Sequence, residues 1–198
     1  DRDSNSLGGI LIHSGVNFKQ PREIPSKVIR ESSSVFQLCG KGKGAVKVKA
    51  LLQRVTRASV SVAGEEVGRI GRGLVVFVGV AKGDTEKDIQ YLVQKTLGLR
   101  IFADEEERFN LSVLDIKGEL LVVSQFTLLA DTRKGRRPSF NEAAPPAEAE
   151  VLFQQFVEQA QTSALKVETG RFQQYMHVEI HNDGPVTILL DSREKFSP

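Results

Sequence analysis

Hydrophobic and polar positions follow no sustained pattern over residues 1–47 and a regular one from Val48 onward. The first segment is rich in Ser, Gly and Lys with short apolar pieces such as Ile10-Leu11-Ile12, and Gly40-Lys41-Gly42-Lys43-Gly44 reads as linker. We expect residues 1–47 to be a disordered or non-native extension, residues 48–192 to form one domain, and residues 193–198 to be a flexible C-terminus. Within the domain, Leu51 to Val62 alternates as a strand does, and Gly64-Glu65-Glu66 and Gly71-Arg72-Gly73 are turn signals. Leu74 to Val80 is short, apolar and β-branched, which predicts a buried strand. Asp84 or Thr85 caps a helix whose apolar stripe is Ile89, Leu92, Val93 and Leu97, ending at Gly98.

Further along, the pattern predicts a short strand over 99–102 and a pair of strands over 109–116 and 119–129 joined at Lys117-Gly118. A basic loop over 131–145 follows. Pro146 opens a second helix, whose stripe is Leu152, Phe153, Phe156, Val157 and Ala160. Two closing strands, 175–181 and 186–190, flank Asn182-Asp183-Gly184-Pro185. The expected fold is α/β: a single domain of short, largely antiparallel strands forming a barrel-like sheet, with two main helices packed outside.

Composition narrows the function classes. The chain has 198 residues, enough for one domain with a real core, and its 40% hydrophobic and 26% charged residues are ordinary for a globular protein. The net charge of +2 supplies no global field, so any nucleic-acid contact must come from a local basic patch. The one cysteine, Cys39, leaves no disulfide framework, and no apolar run reaches the length of a membrane span. A reducing, cytoplasmic setting is therefore expected. A targeting role for the N-terminal segment is weakened by Asp1, Asp3, Glu23 and Glu31.

Two places break the local rules. The run Glu119 to Ala130 is apolar except for Ser124, Gln125 and Thr127 around Phe126. A strand would put Ser124 and Phe126 on one face and Gln125 and Thr127 on the other. A buried polar group without a partner costs about 1–3 kcal/mol, so these groups face either a wet edge or a pocket. The second place is Asn182-Asp183-Gly184-Pro185-Val186-Thr187. Turn chemistry alone makes it an ordinary hairpin loop with a trans Gly-Pro bond, although that bond also has access to the cis form.

Together these two segments resemble the motifs of the D-aminoacyl-tRNA deacylase (D-tyrosyl-tRNA deacylase) family. Ser124-Gln125-Phe126-Thr127 is similar to its Ser-Gln-x-Thr motif, and Asn182 to Thr187 to its Asn-x-Gly-Pro-x-Thr motif. The likeness continues through Gln53 to Val60, Arg100-Ile101-Phe102, Arg137-Pro138-Ser139-Phe140 and Thr169-Gly170-Arg171-Phe172, spanning roughly Val48 to Leu190. The resemblance implies a homodimer with its active site at the subunit interface, tRNA as partner and no cofactor or metal. It implies hydrolysis of the ester of D-aminoacyl-tRNA and of mischarged glycyl-tRNA in translation quality control.

In the family the Gly-Pro bond is cis and the loop enters the partner's pocket. Gly184 and Pro185 would then reject an L-residue by backbone collision, while glycine would fit. The same resemblance puts the backbone N–H of Phe126 at the oxyanion, with Ser124, Gln125 and Thr127 forming the pocket. Asn182 and Thr187 belong to the selecting loop, Arg57 would hold its carbonyls, and Met176 would either line the pocket or pack in the core. Thr127 has no clear base beside it in the sequence, so the neighbouring ribose hydroxyl is expected to assist in place of a side-chain nucleophile. Because members begin near the position of Val48, that residue is a candidate start site.

Other features carry less. His177, Glu179 and His181 share a strand face at roughly 6.6 Å spacing, too far apart to converge on one ion, and are expected to face solvent. His13 and Cys39 fall in the N-terminal segment. Arg133, Lys134, Arg136 and Arg137 suit either RNA phosphate or a plain solvated loop. Two other readings stay open on sequence alone: a dimeric nucleic-acid-binding module without catalysis, and a small-molecule Ser or Thr esterase.

Overall fold

The computed structural model describes residues 48–196, with side chains as far as Glu194. The expectations for residues 1–47, including His13 and Cys39, lie outside the described residues, as do those for the last two positions.

The organising element is β1 (Lys49–Val62), whose backbone pairs along both edges. β8 (Met176–Asp191) runs antiparallel along one edge. On the other edge β3 (Gly73–Gly79) pairs with the first half of β1, and β2 (Glu65–Ile70) pairs with its second half. The sheet continues from β3 through β6 (Glu119–Ser124) to β7 (Val167–Thr169), both added in parallel. The result is a mixed, barrel-like sheet. Helices α1 (Glu86–Gly98) and α2 (Pro146–Gln161) pack against it with the larger of two cores. A two-stranded ribbon, β4 (Phe102–Ala103) and β5 (Phe109–Leu111), stands apart from the sheet.

Period-2 burial explains the layering. Leu74, Val76 and Val78 of β3 and Leu120 and Val122 of β6 face the helices. Val75, Leu121 and Val123 face the opposite way into a second core with Val55, Val60 and Ile70. β1 itself changes sides. Ala50 and Leu52 join the helix-side core, whereas Ala58 and Val60 join the other. The phase flips where the β1–β8 register shifts, between Gln53 and Arg57.

Both helices start as their sequences direct. Thr85 is the residue that caps α1, and its backbone N–H donates to Asp88 Oδ2 at 2.9 Å. Pro146 occupies the first turn of α2, whose buried stripe is Phe153, Phe156, Val157 and Ala160.

Three expected elements differ in the structure, and two strands, β2 and β7, are added. The 109–116 and 119–129 strands do not form a hairpin. After β5 the chain coils into turns because Asp115 Oδ2 accepts from both the backbone N–H (2.7 Å) and hydroxyl (2.6 Å) of Ser112. β6 then pairs with β3, a contact that Gly73 permits: a Cβ there would lie 1.9 Å from the carbonyl oxygen of Glu119. The strand expected over 99–102 is displaced to Phe102–Ala103 and paired with β5. β2 and β7, short and half polar, carry too weak an alternation to stand out in the sequence. The strand predicted to reach Leu129 stops at Ser124, and Phe126–Leu129 is a 3-10 helix. At the other end of the domain, Ser192–Phe196 forms another 3-10 turn, and the Ser192 N–H donates to Val48 O at 3.1 Å.

Candidate active site

The polar break at Ser124 marks the point where β6 leaves the sheet. Gln125 makes the last sheet-like bond, its N–H donating to Val78 O at 2.8 Å, and the chain then turns into the 3-10 helix. Leu128 N–H returns to Gln125 O at 3.2 Å and Ala130 N–H to Thr127 O at 3.2 Å. A 3-10 turn leaves its first N–H groups without intrahelical acceptors, so those of Phe126 and Thr127 sit at its open end. Gly79 makes this close approach possible, since a Cβ there would meet Gln125 O at 2.8 Å.

Phe126 is 58% exposed and packs edge-on against Phe140, with ring centroids 5.0 Å apart. The Gln125 side-chain amide donates to the Thr127 hydroxyl, which ties together two of the expected pocket residues. Ser124 is half-buried and Thr127 exposed.

Beside this turn lies a cavity of about 640 Å³ whose walls include Ser124, Gln125, Phe126, Phe140, Phe172 and Met176. Met176, from the start of β8, folds over Gly170, where any Cβ would collide with its sulfur. Phe172 reaches the cavity from the segment after β7 and packs at 6.0 Å from Phe153 of α2. Thus Phe140 and Phe172 converge on the 124–126 segment, although 32 residues separate them in the chain.

The loop Asn182 to Thr187 is not a hairpin between two strands, as turn chemistry suggests. It is an excursion within the single strand β8. Thr187 pairs with Gln53 and Asn182 with Val55, so one residue of β1, Arg54, stands against four of β8. The Asn182 side chain closes the base of the excursion. Its Oδ1 accepts from Val186 N–H at 2.9 Å, and its Nδ2 donates to Val186 O at 3.2 Å. Thr187 Oγ1 accepts from Gln53 Nε2 at 3.2 Å. The Gly184–Pro185 peptide bond is cis. Gly184 has φ +135°, and a Cβ would lie 2.6 Å from Val186 Cγ2 and 3.2 Å from Arg54 Nη2. Gly184 and Pro185 are both exposed. Neither they, Asn182 nor Thr187 line the cavity.

The residue that grips this loop within the chain is Arg54, not Arg57 as the family resemblance led us to expect. Arg54 Nε donates to Asp183 O at 3.0 Å and pairs with its carboxylate at 3.2 Å, while Nη1 donates to Ile101 O at 2.6 Å. Its guanidinium lies 5.2 Å from the Phe109 ring centroid. Arg57, three positions on, is exposed. The difference is the parity of the strand combined with the bulge, which turns Arg54 toward the extra residues of β8. A cation in a strand that is otherwise largely buried was the available signal.

His177, Glu179 and His181 are exposed and alternate with the half-buried Val178 and Ile180. Among the described residues no cluster of three or more His, Cys, Asp or Glu side chains could hold a metal. No helix among them is long and apolar enough to cross a membrane.

The domain thus carries a polar strand exit beside a cavity and, elsewhere on the chain, a loop braced by an arginine. Residues 51–191 match the family model described as D-Tyr-tRNA(Tyr) deacylase, and the chain belongs to this family. A D-aminoacyl-tRNA deacylase of Dehalococcoides mccartyi is 59% identical over 151 residues, covering 76% of this chain and 99% of that protein. One from Thermotoga petrophila is 58% identical, covering 75% of this chain and all of its own. The solved structure described as "c-Myc DNA Unwinding Element Binding Protein" superposes with a TM-score of 0.69 at 45% identity, covering 76% of this chain and 99% of that one. A probable eukaryotic D-amino acid tRNA deacylase shares the fold, with a TM-score of 0.65 at 18% identity over 73% of this chain and 98% of its own.

Proposed function

We propose that this protein hydrolyses the ester joining a D-amino acid, or mischarged glycine, to the terminal ribose of tRNA, and that it rejects L-aminoacyl-tRNA. Family membership supports the reaction class. The observation that carries the site assignment is the cavity at the open end of the Phe126–Leu129 turn, walled by Ser124, Gln125, Phe126 and Met176.

In this reading, water attacks the ester carbonyl and the resulting oxyanion accepts a hydrogen bond from the Phe126 backbone N–H. The ester C–O bond then breaks. The ribose oxygen takes up the proton that the water gives up, relayed by the adjacent ribose hydroxyl, and the free amino acid leaves. Thr127 stands beside the cavity without lining it and supports the wall through Gln125: its hydroxyl accepts from that side chain, and no neighbouring base activates it.

The loop at Gly184–Pro185 selects chirality by bulk. Its exposed backbone lies away from the cavity of its own chain, so a second copy of the chain supplies it. A homodimer of this kind needs a self-complementary face. The cross-strand row Leu189, Leu51 and Phe77 offers an apolar one, with Leu189 51% exposed. A compartment where charged tRNA is made and used, such as the cytoplasm, is the setting that suits this function.

The test is deacylation of matched D-tyrosyl- and L-tyrosyl-tRNA. Release of D-tyrosine alone is the expected result, and no release at stoichiometric enzyme would sink the proposal.

A further inference from the structure

The sequence singles out one feature that the site does not absorb, the basic loop after the 3-10 helix. Residues 131–139 read Asp-Thr-Arg-Lys-Gly-Arg-Arg-Pro-Ser and carry a net charge of +3, in a chain whose total is only +2. The loop is pinned at its base by two backbone bonds: Asp131 N–H to Ser139 O at 2.7 Å and Ser139 N–H to Asp131 O at 2.9 Å. One base strand leads directly from Phe126–Leu129, the turn that carries the proposed oxyanion donor. The other leads into Phe140, which packs against Phe126 and walls the cavity. A positively charged hairpin is therefore fixed to the mouth of the pocket at both ends.

Within the loop the charges are already sorted. Asp131, its only acid, is paired with Arg133, through Nε at 2.8 Å and Nη2 at 2.7 Å. That pairing holds its carboxyl well below the usual carboxylate range, so Asp131 stays ionised and occupied. Gly135, with φ +70° and open space around it, turns the tip. Lys134, Arg136 and Arg137 are exposed, and no acid follows until Glu142. Guanidinium forks and an ammonium displayed this way suit phosphate oxygens.

Resting on the proposed function, we infer that this loop seats the phosphate backbone of the tRNA acceptor arm while the aminoacyl-ribose enters the adjacent cavity. Lys134, Arg136 and Arg137 are the seating residues. They position the substrate and do not touch the reacting ester.

Two substrates separate the roles: D-tyrosyl-tRNA, and the 3′-ester of D-tyrosine with adenosine, which lacks the acceptor arm. Both are assayed with wild type, with the K134Q/R136Q/R137Q variant and with the charge-conserving K134R/R136K/R137K variant. The neutral variant is expected to raise KM for the tRNA about tenfold or more and to flatten the slope of log(kcat/KM) against log salt by about 2 to 3. Its kcat on tRNA and its rate on the adenosine ester stay at wild-type values, and the charge-conserving variant keeps the wild-type slope. An unchanged salt slope, or an equal loss on both substrates, overturns the inference. Failure of the wild type on both D-esters overturns the functional reading beneath it, a result distinct from either.

Discussion

Two side chains at the residue scale do work that their types alone do not announce. Arg54 joins the loop of β8 to the β4–β5 ribbon through the carbonyls of Asp183 and Ile101. Replacing it by alanine leaves both acceptors without their charged donor, which should cost about 2–3 kcal/mol in urea melts and loosen rejection of L-tyrosyl-tRNA. Arg54→Lys, with a point charge in place of a fork, recovers only part of either. Thr127 is the opposite case, a residue whose type promises chemistry. Thr127→Ala should retain activity within about tenfold, whereas loss of a true nucleophile costs on the order of 10⁶-fold in a hydrolase. Activity lost entirely in a folded Thr127→Ala protein would restore it as the nucleophile. The sequence showed that Ser124, Gln125 and Thr127 were out of place in an apolar run. It could not show that the strand had already ended, because Leu128 and Leu129 continue the apolar pattern while packing from a helical turn.

Elements that approach closely do so through missing side chains. Gly73 lets β6 lie in parallel against β3, and Gly79 lets the 3-10 helix tuck against the end of β3. Gly73→Ala forces a backbone collision and should destabilise the domain by about 3 kcal/mol. Gly79→Ala meets only the Gln125 carbonyl and the Leu128 side chain closely, so it should lower kcat through a displaced Phe126 N–H more than it lowers the melting midpoint. Such contacts join residues 40 or more apart and leave no periodic trace, which is why β6 reads in the sequence as the partner of the neighbouring 109–116 segment and not of β3.

The same join carries a pH signature. Glu119 Oε2 accepts from Gly71 N–H at 2.9 Å and from Lys166 at 3.2 Å, and these bonds, the backbone one first, lower its pKa below 4.5. The stabilisation is therefore complete above pH 4.5 and is lost as pH falls through the lowered folded value. Glu119→Gln should cost about 1 kcal/mol at pH 7, since the group is partly exposed, and the gap from wild type should close in acid urea melts.

For the whole molecule, the helices, the long first strand and the order of the motifs were legible because amphipathic period and capping chemistry are local. The placement of the loop was not. Arg54 and Asp183 are 129 positions apart and meet only because β8 bulges where β1 does not. The loop does not line the cavity of its own chain, and the proposed function therefore calls on a second copy to complete the site. Leu189→Asp, placing a charge in the exposed apolar row, should shift sedimentation from dimer to monomer and abolish deacylation while leaving the fold intact. A monomeric wild type with full activity would confine the site to one chain. In the proposed mechanism, backbone at Gly184, not a side-chain pocket, sets the choice between D and L. The most direct test is the ratio of D-tyrosyl- to L-tyrosyl-tRNA deacylation under single turnover, measured for wild type and for Gly184→Ala. Wild type should leave the L-ester intact, and the variant, strained at φ +135° and crowded against Val186, should narrow the ratio at least about tenfold. A folded variant with the wild-type ratio would contradict it.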